Sequence, residues 1–159
     1  MMKLTTYDRY KDSGIEWLGD VPEHWLSLRI KDLTKVISKG TTPSTEGFIF
    51  EDEGVRFLKA ENVLEDGRVS IFPKYFISEE ANQYLKRSQL QLGDILLVIA
   101  GATIGKVGVV TSNLLPANTN QAVCFIRIHS KQSIGFLSYM MRSDYFNKLI
   151  WYFTVQSAQ

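Results

Sequence analysis

The sequence predicts an α+β fold, with several short strands that mostly do not alternate with helices and with helices gathered at the C-terminal end. Three observations carry this. Apolar stretches of strand length recur through the middle of the chain, as "GVRFLKAENV", "GDILLVIAGATIGKVGVV" and "QAVCFIRIH". Turn residues separate them, as in "SKGTTPS". The last stretch, "SIGFLSYMMRSDYFNKLIWYF", is periodic in the helical sense.

Each element has its own signal. "YKDSGIEWLGDVPEHW" mixes turn residues with Trp17, Leu18 and Trp25, and reads as an irregular entry anchored by aromatic side chains over residues 1–25. In "LSLRIKDLTKVISKG", Leu26, Leu28 and Ile30 alternate, while Ile30, Leu33, Val36 and Ile37 fit one face of a short helix. Pro43 restricts Thr42 to extended backbone. Val55 and Phe57 share one face of a strand, and Pro73 marks a bend or an edge within "VSIFPKYFIS". Ser78 is an N-cap candidate for a helix with Glu79 and Glu80 in its first turn and Lys86 and Arg87 near its end. Ser133 and Ser143 are cap candidates for two closing helices. Phe136, Leu137, Met140 and Met141 form one apolar face, and Phe146, Leu149, Ile150 and Phe153 another.

Composition bounds the function. The 159 residues fit one domain of ordinary size, and a 45% hydrophobic content supplies a core. With 18 basic and 17 acidic residues the net charge is +1, so bulk charge does not drive nucleic-acid binding, though a local basic face is compatible with it. The single cysteine, Cys124, lies in an apolar run and reads as a small buried hydrophobe. No apolar run reaches membrane-spanning length and the N-terminus has no secretory h-region, so a cytoplasmic protein without membrane contact is expected.

"GATIGKVG" is the sharpest local feature. It is not a Walker loop, because Gly101 stands one position too close to Gly105, Val107 replaces the metal-binding hydroxyl, and no helix follows. It also lacks the dinucleotide-binding glycine pattern. His24 and His129 have no metal-ligand spacing, and the acidic runs lie in polar loops or at a helix start. The better reading is a hairpin. Ile95 to Ile99 form a strand apolar on both faces, and Val107, Val109 and Val110 return. Gly101 and Gly105 are free to take positive φ between them. Thr103 and Lys106 are then displayed at a rigid tip. No cofactor, metal or catalytic set is expected.

Several motifs together resemble the specificity subunits of type I restriction-modification enzymes. "YKDSGIEWLGDVPEHW" resembles their opening and "SKGTTPS" their Gly-x-Thr-Pro-Ser segment. "LQLGDILLVIAGATIGKVGVV" resembles their Gly-Asp to Ile-Gly-Lys hairpin, and "NTNQAVCFIRI" their Asn-Gln strand. "FLSYMMRSDYFNKLI" and "QSAQ" are similar to their closing helices and the turn that follows, with a departure at Gln156-Ser157, where the family pattern has glycine.

The resemblance implies a mixed, curved sheet and a non-catalytic function. Residues 1–159 would be one target-recognition domain reading half of a split site in double-stranded DNA, without the spacer helix and second recognition domain. Methyltransferase and restriction subunits would be the partners and carry the catalysis. Lys39, Thr41, Thr42 and Ser44 are candidates for phosphate and base contacts, against simple turn chemistry. Lys59 and Asn62 stand on a turn that the resemblance places on the DNA side, against a solvated turn. Thr103, Lys106, Asn120 and Gln121 complete the candidate set, although Asn is also a common turn former. A nuclease or methyltransferase fragment using the acidic residues, and a half-subunit acting as regulator, are the alternatives.

Overall fold

A computed structural model describes residues 6–15, 18–130 and 133–156, the last four of these for backbone alone. Trp17, Ser157 and the Phe153 side chain, which entered the expectations above, lie outside the described residues. The chain forms two compact units, residues 1–32 and 33–159.

The first unit is built on a hairpin. Strand β1 (Tyr10–Asp12) pairs antiparallel with β2 (Asp20–Pro22). Asp12 Oδ1 accepts from Gly14 N at 2.8 Å, which starts the turn. The Tyr7 ring packs edge-on against Tyr10 and Trp25. Val21 and Pro22 are buried, but Leu18 and Trp25 are exposed, so the described part of the expected aromatic anchor is a surface cluster. Leu26 and Leu28 are also exposed and belong to no strand, because no strand among the described residues pairs with them.

The second unit holds two sheets. Strands β3 (Thr34–Lys39), β6 (Ile95–Val98), β7 (Val107–Val109) and β9 (Val123–Ile128) form an antiparallel sheet in the order β3-β9-β6-β7. Strands β4 (Val55–Leu58), β5 (Phe76–Ile77) and β8 (Ala117–Thr119) form a mixed sheet in the order β5-β4-β8, with β4 and β8 parallel. A core including Leu58, Val63, Leu96, Val98, Val123 and Phe125 joins the two sheets. Val55 and Phe57, on the other face of β4 as their spacing requires, pack with Ile77, Ala81 and Leu85. The hairpin expected around "GATIGKVG" is present. Every residue of β6 is buried, and Gly101 and Gly105 have φ of 92° and 93°.

Helix α1 (Glu79–Tyr84) begins as its sequence predicts, with Ser78 Oγ accepting from Ala81 N at 3.1 Å. It is short and passes through Leu85 into a 3-10 turn at Lys86–Ser88. Two further helices, α2 (Ile134–Met141) and α3 (Asp144–Gln156), close the chain. Ser143 caps α3, its Oγ accepting from Phe146 N at 3.3 Å, whereas Ser133 makes no side-chain cap.

Two expectations need correction. Residues Thr34–Lys39 are strand, not helix, because β9 offers an antiparallel ladder, continuous from Val36 to Lys39 with a register shift between Thr34 and Val36, to a segment rich in β-branched residues. The expected apolar face of α2 is only half buried: Leu137 and Met141 are inside, but Phe136 is 74% exposed. Cys124 is half-buried, and burial pushes its thiol pKa up, as suits a packing cysteine. Among the described residues no helix is long and apolar enough to cross a membrane.

Candidate nucleic-acid interface

Strand register decides which loops meet. Lys39 at the end of β3 lies opposite Cys124, and Val98 at the end of β6 lies opposite Val123. The loops after β3, after β6 and before β9 therefore share one end of the antiparallel sheet. Leu58 pairs with Thr119, so the turn after β4 lies beside the loop after β8. Tyr75 O accepts from Phe57 N, which carries the segment preceding β5 along β4 to that same turn.

Gly40 joins the two groups of loops. Its N–H donates to Asn120 O at 3.1 Å, and Thr41 N donates to Thr119 O at 3.1 Å. A Cβ built on Gly40 would stand 1.9 Å from Thr119 O, so only glycine permits this approach. Thr42 has the extended backbone expected before Pro43, and its Oγ1 donates to Gln121 Oε1. That bond turns the Gln121 amide NH₂ away from Thr42, and Gln121 is exposed. Lys39 and Ser44 are exposed on the same rim. Asn120 is half-buried, and its Oδ1 has no hydrogen-bond partner among the described residues. Lys39, Thr41, Thr42, Ser44, Asn120 and Gln121 thus form one cluster.

Lys59 and Asn62 stand next to it in unequal roles. Lys59 Nζ lies 3.4 Å from the centroid of the Tyr75 ring and 4.4 Å from that of Phe50. Tyr75 Oη donates to Glu61, and this bond to a carboxylate raises the phenol pKa. Asn62 is 1% exposed, and its side chain is an internal brace. Its Oδ1 accepts from Lys59 N at 2.9 Å, and its Nδ2 donates to Ser70 O at 3.1 Å and Pro73 O at 2.9 Å. That buried bonding replaces the solvated turn weighed from the sequence and leaves the Asn62 side chain no surface to present.

Thr103 and Lys106 stand on the loop after β6, at this same end of the sheet, but face a different set of neighbours. They line a cleft of about 380 Å³ together with Glu65, Arg142, Asn147 and Trp151. The Lys106 side chain is 21% exposed, and its Nζ sits 3.1 Å from Glu65 Oε1. Asn118, at 0% exposure, donates to Asn82 Oδ1 and Leu85 O and so ties β8 to α1.

Sequence reasoning passed over two features. Arg127 donates to both carboxylate oxygens of buried Asp94, at 2.8 and 2.7 Å. An arginine within an apolar strand was the available signal. Phe72 is exposed on the loop that Asn62 braces, and Lys74 Nζ lies 5.2 Å from its ring centroid. Among the described residues no three His, Cys, Asp or Glu side chains gather as metal ligands.

The family model described as "Type I restriction modification DNA specificity domain" matches residues 22–159. Among solved structures, the chain is similar to the HsdS subunit from Thermoanaerobacter tengcongensis, at 15% identity and a TM-score of 0.56 over 80% of this chain and 32% of that one. It is also similar to a chain from a structure addressing complex assembly and conformational transition of the type I R-M system. That match has 14% identity and a TM-score of 0.52, over 76% of this chain and 30% of the other. At such identities the likeness is one of fold, and the chain spans about a third of the length of each.

Proposed function

The chain belongs to the type I restriction modification DNA specificity domain family, and from that premise we propose that residues 1–159 act as a target-recognition module for double-stranded DNA. The observation that carries the reading is the joined end of the two sheets, where Gly40 locks the loops bearing Lys39, Thr41, Thr42, Ser44, Asn120 and Gln121 against one another. A rigid scaffold presenting polar loops is the usual plan of a recognition surface. Lys39 and Lys59 neutralise phosphates, Thr41 and Ser44 donate to them, and Gln121 offers its oriented NH₂ to a base edge. Asn120 turns toward the duplex to satisfy its Oδ1. Asn62 acts from inside by fixing Lys59. Thr103 and Lys106 form the margin, and Lys106 reaches a phosphate only by leaving Glu65.

The module reads one half of a bipartite site. In the full complex it directs a methyltransferase subunit and a restriction subunit, to which methyl transfer and cleavage belong. The test is a salt titration of the purified chain on labelled duplex DNA. We expect a dissociation constant on the order of 10⁻⁴–10⁻⁶ M at physiological salt, with affinity falling log-linearly with log salt. Lys39→Ala should reduce that slope by about one unit, while Lys106→Ala should change it little. Salt-independent binding, or methyl incorporation from S-adenosylmethionine by the pure chain, counts against the proposal.

A further inference from the structure

The loop before β5 carries an aromatic contact that the polar cluster does not explain. Phe72 is 59% exposed, although it lies in a tightly held segment. Its N–H donates to Ser70 Oγ at 2.9 Å. Ser70 N donates to Asn62 O at 2.7 Å, and Asn62 Nδ2 binds the carbonyls of Ser70 and Pro73 on either side of it. Scattered exposed hydrophobes are ordinary on a protein surface. Phe72 differs in three ways: its backbone is fixed from the buried side, it stands at the same end of the sheets as Lys39 and Gln121, and a lysine ammonium lies over its ring.

We infer that Phe72 is a wedge, which enters a base step of the bound duplex and partly unstacks it while Lys74 takes an adjacent phosphate. An apolar ring on a braced loop with a neighbouring cation is the chemistry that recognises a deformable step. Unstacking costs free energy that the ring offsets by stacking on the exposed base face. The module then discriminates among sequences partly by how readily they kink, at a position where it makes no base-edge hydrogen bond.

This inference rests on the DNA-recognition reading, and the experiment separates the two. A random-sequence duplex pool of about 30 base pairs is enriched on the wild-type chain, and the selected duplex is end-labelled for energy transfer. Wild type should shorten the end-to-end distance on binding. Phe72→Ala should bind about tenfold more weakly or worse, lose the bend, and keep the slope of log affinity against log salt. Phe72→Trp should restore both affinity and bend. Because the ring is exposed, the alanine variant should melt with wild type, which circular dichroism checks. Wild-type affinity and bend in Phe72→Ala, or an affinity loss with the bend intact, overturns the wedge and leaves the recognition reading standing. A wild-type chain that binds no duplex overturns both.

Discussion

At the scale of single residues, burial decides which polar groups can be spared for function. The Asp94 side chain is 1% exposed, and that of Arg127 21%. The carboxylate also accepts from Gln91 N at 2.8 Å, and the guanidinium donates to Gln89 O at 3.2 Å. This pair is committed to holding β9 against the turn that opens β6. Removing Arg127 strands a buried charge, so Arg127→Ala should cost about 3–5 kcal/mol in urea unfolding. Asp94→Asn should cost less, since an amide oxygen still accepts. A loss below about 1 kcal/mol, the value of a surface pair, would show that Asp94 reaches water. The sequence names such residues without weighing them. Asn62 and Gln121 look alike as polar loop residues, yet one is an internal brace and the other is exposed, because only the folded register says which loop lies above the other.

At the scale of elements, local signals were legible where one segment supplies its own reason to form. The β6–β7 hairpin needs only its apolar strands and two glycines of positive φ, and α1 needs its Ser78 cap. Strand β3 was not legible, since Ile30, Leu33, Val36 and Ile37 match a helical period and the ladder that overrules it comes from β9, far along the chain. Its outer face, Lys35, Ile37 and Lys39, is exposed, and the lysines guard an edge strand. The Gly40 junction depended on contact between distant loops in the same way. Gly40→Ala should lower stability by about 3 kcal/mol or more, because the clash is with backbone rather than a movable side chain. It should also abolish DNA binding even where the chain stays folded at low temperature. An alanine variant that melts and binds as wild type does would mean that the loops are not locked together there.

At the scale of the whole molecule, charge and size set how much affinity one module can have. A net charge of +1 leaves only local lysines to release counterions. Of these, Lys59 is held between two rings and Lys106 faces Glu65, so Lys39 and Lys74 are the most accessible at this end. Weak binding by a single module is the outcome expected from that accounting, and if the module reads half of a bipartite site, as proposed, doubling it should strengthen binding. Joining two copies through a flexible glycine-serine linker makes the second binding event intramolecular, with an effective concentration in the millimolar range. The tandem chain should therefore bind a duplex carrying two copies of the selected site about 10²- to 10⁴-fold more tightly than the single chain does. It should show no comparable gain on a duplex with one copy, and the gain should depend on the spacing between sites as the linker is varied. If affinity is unchanged at every spacing and linker length, the contact is not a discrete half-site, and the joined end of the two sheets is not its reading surface.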